Sequence, residues 1–90
     1  MNPPIPSEVK DVFEKMKQNA KETEEFEDSV YLGYNDGEWV IGDNYERSPF
    51  SMVFSHNGEW FYRNTISGED RKMPFGQDTA LGCASIWYTG

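Results

Sequence analysis

Ninety residues support one hydrophobic core, since chains divide into separate cores only at about 250–300 residues, so the chain reads as one domain. Sixteen acidic against eight basic residues give a formal charge of −8, the wrong sign for direct nucleic-acid binding or for an anionic membrane, and one that suits solubility or a basic protein partner. A single cysteine excludes an internal disulfide and a cysteine-rich zinc site, and the lack of a signal-type leader or a long apolar run predicts a cytoplasmic protein.

Residues 1–6 form a proline-rich lead-in, because Pro3, Pro4 and Pro6 disfavour helix and hold the backbone extended. The domain proper is expected over 7–90. Ser7 offers a hydroxyl to cap a helix, and Glu8 and Asp11 place negative charge at its positive end. Val9, Val12, Phe13, Met16 and Ala20 then recur in steps of three and four, the spacing of one buried helical face. From Lys21 to Asp28 the chain turns acidic, with Glu22, Glu24, Glu25, Glu27 and Asp28. Carboxylates are unfavourable at the negative end of a helix, so the helix either stops near Lys21 or tolerates local frustration.

After Ser29 the period changes to two. Val30, Leu32 and Tyr34 alternate with Tyr31 and Gly33, and Asn35-Asp36-Gly37 supplies residues that accept positive φ in a turn. Trp39-Val40-Ile41 reads as the returning strand. A third strand is expected at 50–55, where Phe50, Met52 and Phe54 alternate with Ser51, Val53 and Ser55, and a fourth at 59–63 beyond a two-residue Asn57-Gly58 turn. The stretch from Asn64 to Thr79 reads as polar and turn-rich, and a last strand is expected at 83–88, where Ala84, Ile86 and Tyr88 alternate. The fold class is therefore α+β: one N-terminal amphipathic helix packed on a four- to five-stranded antiparallel sheet. Gly37-Glu38-Trp39 recurs as Gly58-Glu59-Trp60, which reuse of turn chemistry explains without implying a function.

No pattern commits the chain to a reaction. His56 is the only histidine and stands beside a hairpin turn, a water-exposed setting unsuited to a preorganised base. Its distance in sequence from Cys83 gives no zinc spacing, and the acidic residues lack the turn glycine of a calcium loop. Phosphate-binding glycine loops do not occur. No metal, cofactor or catalytic residue is assigned, and the chain is read as a non-enzyme.

What remains is a binding role. The acids Glu22, Glu24, Glu25, Glu27 and Asp28 would steer the protein to a basic partner, and Trp60 and Tyr62 would serve as exposed aromatic anchors on the sheet. In size and charge the chain is similar to compact acidic proteins that phages and mobile elements use against host nucleic-acid enzymes, anti-CRISPR proteins and DNA mimics among them. That likeness implies an inhibitor or adaptor whose partner handles DNA or RNA, acting as a monomer or homodimer. A different reading is an accessory or structural subunit that oligomerises through a sheet edge, with 83–88 as the edge strand and exposed aromatics adding contact area. A third, a small-molecule module, would require a pocket lined by Trp and Tyr.

Overall fold

The computed structural model describes residues 3–22, 29–43, 50–55 and 57–86. Helix α1 spans Ser7–Glu22, five strands follow at Val30–Asn35 (β1), Glu38–Asp43 (β2), Phe50–Phe54 (β3), Trp60–Asn64 (β4) and Asp70–Lys72 (β5), and helix α2 spans Gln77–Ile86. The strands form one antiparallel meander in the order β1-β2-β3-β4-β5. The α+β class is as the sequence pattern implies, with a second helix added.

The start of α1 differs from expectation in one detail. Lys10 N–H donates to the Pro6 carbonyl at 3.0 Å, so Pro6 occupies the capping position. Ser7 lies one residue inside, and its hydroxyl donates to Glu8 Oε1 at 3.0 Å rather than serving as the cap. The apolar stripe behaves as its spacing demands: Val9, Val12, Met16 and Ala20 are fully buried.

Each turn has a local chemical cause. Asp36 and Gly37 both adopt positive φ, 51° and 83°, giving the primed two-residue turn whose twist matches a right-handed β-ribbon. The β3–β4 connection is one residue longer than the two-residue turn anticipated. Ser55 N–H donates to the Glu59 carbonyl at 2.9 Å and Gly58, at φ 80°, donates back to the Ser55 carbonyl at 3.1 Å. The Ser55 hydroxyl also accepts from the Asn57 and Glu59 N–H groups. In the β4–β5 hairpin the Asn64 side-chain oxygen accepts from Ile66 N–H at 2.9 Å and Ser67 N–H at 3.1 Å, holding the loop closed.

One face of the sheet carries Val30, Trp39, Ile41, Met52, Phe54 and Trp60, and these join the α1 stripe, Met73, and Ala80 and Ala84 of α2 in a single core. The small side chains of Ala80 and Ala84 bring α2 against this core beside α1. Gln77 of α2 ties the sheet to both helices: it accepts from Trp60 Nε1–H at 2.9 Å and donates from Nε2 to the Glu8 carbonyl at 3.0 Å.

The expected last strand is a correction. Residues 83–86 belong to α2, which begins where the Gly76 carbonyl accepts from Ala80 N–H at 3.0 Å. Residues 80, 81, 83 and 84 all pack on the core, a helical spacing that the alternation of Ala84 and Ile86 masks. The fifth strand is instead β5, inside the stretch read as loop, where Arg63 pairs with Asp70 and Met73 N–H extends the ladder to the Trp60 carbonyl at 2.8 Å.

Candidate protein-interaction surface

Of the acidic residues proposed to meet a partner, the structure places Glu22, at the C-terminal end of α1, exposed and accepting from Gln18 Nε2–H at 3.2 Å. Glu24, Glu25, Glu27 and Asp28 lie outside the described residues, as do His56, Trp87 and Tyr88. Within α1 itself the charge is balanced: Glu8, Asp11, Glu14 and Glu22 face Lys10, Lys15, Lys17 and Lys21.

The two aromatic anchors part company. Trp60 is 1 % exposed, packed edge-on against Phe54 at 5.1 Å between ring centroids, with its indole N–H spent on Gln77. It is a core residue and presents no ring face to a partner, so its assignment as an exposed anchor is corrected. The physical reason is α2, which covers the ground above the ring that one helix alone would leave open.

Tyr62 is half-buried and stands at a site. Its hydroxyl shares a hydrogen bond with Cys83 Sγ of α2, and burial together with that contact pushes its pKa up to about 12. Cys83, read as a buried inert thiol, is half-buried and engaged with this phenol. Tyr62 also lines a depression of about 470 Å³ with Phe50, Asn64, Glu69 and Arg71, within the size range of small-ligand sites. Register explains the grouping, because Phe50 pairs with Asn64, and Tyr62 with Arg71, across neighbouring strands. Phe50, 45 % exposed, is the exposed aromatic at this depression, and Phe75, 79 % exposed, is a second aromatic at the surface. Alternation along β3 marked Phe50 as a strand residue without showing that it lies beyond the cover of the helices.

The opposite face of the sheet is built around Arg63. The guanidinium grips Asp70 through Nε–H at 2.8 Å and an Nη2 donor at 2.9 Å, and donates to Glu38 at 3.1 Å. The two carboxylates stabilise the guanidinium charge, and Arg63 in return holds the Asp70 carboxyl below its usual range. Lys72 reaches Glu59 at 3.1 Å on the same face. Beside them the Tyr31 ring lies across Gly42, where a Cβ would fall 2.6 Å from the phenol oxygen, and its hydroxyl shares a 3.3 Å hydrogen bond with Ser51.

The two sheet edges differ in kind. β5 has three residues, Asp70, Arg71 and Lys72, all charged and exposed. β1 has six, Val30 to Asn35, with no charge among them. A short charged edge discourages further pairing, while a longer uncharged one invites it.

Among the described residues no group of three His, Cys, Asp or Glu side chains converges to hold a metal, and no helix is long and apolar enough to cross a membrane. No family model matches the chain, and no curated protein and no solved structure matches it either.

Proposed function

We propose that this protein is a small acidic inhibitor or adaptor that docks on a basic surface of a protein partner. The distribution of charge carries the reading. With α1 neutral, the formal charge of −8 lies outside that helix, and the densest acidic stretch of the sequence runs from Glu22, the last residue of α1, to Asp28. Elsewhere much of the acid is already engaged, since Arg63 holds Glu38 and Asp70, and Lys72 holds Glu59. Asp36, Glu69 and Asp78 stay exposed elsewhere, and the densest group of acids is the one at the link between α1 and β1. Concentrated charge steers encounter and sets specificity, and an aromatic contact through Phe50 and Tyr62 would add buried area.

A surface that competes for a basic groove suits a partner whose normal ligand is itself an acid, which makes a DNA- or RNA-handling protein the natural target class. The test is capture from native lysate with the purified protein as bait, beside a variant carrying Glu22→Gln, Glu24→Gln, Glu25→Gln and Glu27→Gln. The expected result is a basic partner that is held at low ionic strength, released as salt rises, and absent from the variant lanes. Equal capture by both baits, or a complex indifferent to salt, rejects this reading.

A further inference from the structure

We propose that β1 is a self-pairing edge, joining antiparallel to β1 of a second copy about a twofold axis at Leu32. This inference stands on the sheet and not on the acidic link. The primed turn fixes which backbone groups are engaged: with a two-residue loop at Asp36-Gly37, Asn35 and Glu38 form the hydrogen-bonded pair that closes the hairpin. Counting back by twos, Gly33 and Tyr31 also direct their N–H and C=O groups to β2. The groups of Val30, Leu32 and Tyr34 point away from it, along the outer side of a strand that has β2 as its one strand neighbour among the described residues.

That edge is complementary to itself. Centring the pair on Leu32 sets Val30 of each copy opposite Tyr34 of the other, so every outward N–H and C=O from 30 to 34 meets a partner. The apolar side chains of Leu32, Val30 and Tyr34 then extend the core-side face across the junction. On the other face, Tyr31 of one copy comes opposite Gly33 of the other, and Gly33 has open space where a Cβ would stand. Two meanders would merge into a continuous sheet.

Charge selects a second copy over a charged partner at this edge. β1 carries none, and α1, which packs against it, is balanced. The opposite edge is closed to the same chemistry by its three exposed charges at β5. Since each copy carries −8 in total, pairing works against long-range repulsion, and added salt should strengthen it. Docking of the acidic link on a basic partner has the opposite salt dependence, so the two ideas fail separately.

The test combines sedimentation equilibrium with amide hydrogen exchange on the full chain, from micromolar to millimolar concentration at low and high salt. The expected result is a dimer favoured by concentration and salt, with the Leu32 and Tyr34 amides gaining protection as it forms. Tyr31 and Gly33, bonded to β2, should stay protected throughout. Gly33→Glu, placed in open space so that the fold persists by far-ultraviolet circular dichroism, should weaken association on the order of tenfold or more by charging the edge. A monomer at every concentration, protection of Leu32 and Tyr34 that ignores concentration, or a Gly33→Glu dimer as tight as the original would each overturn the proposal.

Discussion

Arg63 of β4 donates to Glu38 of β2 across 3.1 Å, although β3 stands between their strands. By register, Arg63 sits opposite Ser51 and Glu38 lies near the Ser55 level, so the line joining them crosses β3 at Val53. Val53 has no exposed surface, yet it points away from the helices and takes no part in the core they cover. On this second face a charged clasp therefore spans an apolar residue that has no exposed surface. The stem of the arginine can shield carbon while its head stays hydrated.

Replacing Arg63 with Gln should cost about 1–2 kcal/mol, since it removes three charge-assisted hydrogen bonds of partly exposed groups and leaves two carboxylates facing each other. The loss should depend on pH. Arg63 lowers the folded-state pKa of Asp70, so the stabilisation is present above the ordinary carboxylate value of about 4 and fades as pH falls through the lower folded value. Urea denaturation of both proteins should show a gap at neutral pH that narrows in strong acid. A gap of constant size across that range would mean that the ion pair is not its source.

Tyr62 governs the other end of the scale. Its folded pKa of about 12 stands above the ordinary tyrosine value near 10, because burial and Cys83 oppose the phenolate. Stability is therefore undiminished below pH of about 10 and declines as pH rises toward the folded value, where the unfolded chain ionises first. Tyr62→Phe should flatten that alkaline decline and also expose the Cys83 thiol to faster alkylation. Phenolate absorbance, followed through a pH titration, should lose a component at pH of about 12 in the variant; an unchanged titration curve would remove Tyr62 from this role.

Gly82→Ala distinguishes the observed helix from the strand that local alternation suggests. Gly82 is exposed inside α2, and an added Cβ meets nothing within 4 Å. Alanine in such a helical position should stabilise the fold by about 0.5–1 kcal/mol, raising the melting temperature by several degrees. A decrease in melting temperature would contradict the helical environment.

The parts of the fold legible in sequence are those where side-chain type and period agree. Val9, Val12 and Met16 are large and apolar at helical steps, and Asn35-Asp36-Gly37 has the φ preferences its turn uses. α2 escaped because its inward residues other than Leu81 are small: Ala80, Cys83 and Ala84 give little hydrophobic contrast, and the short run from Ala84 to Tyr88 can be read with either period. β5 escaped because Asp70, Arg71 and Lys72 show no apolar alternation at all; its pairing comes from the Asn64 loop and from Arg63. Missing α2 also misplaced Trp60. In the run Trp60-Phe61-Tyr62 each face of the strand receives an aromatic, and only the second helix decides that the indole is covered. Phe50 and Tyr62 were visible as strand residues, but their shared depression depends on the register between β3, β4 and β5.

The two hydrogen bonds of Gln77, one accepted from Trp60 and one donated to Glu8, join segments that are far apart along the chain. The hairpins can close between neighbours as they leave a ribosome, but the core has no cover over Trp60 until α2 follows. During synthesis the meander and α1 would therefore wait with an aromatic patch bare, in the interval when a chaperone or a second nascent chain can reach it. Ribosome pausing between β5 and α2 would lengthen that exposure, whereas pausing after α2 has emerged would not.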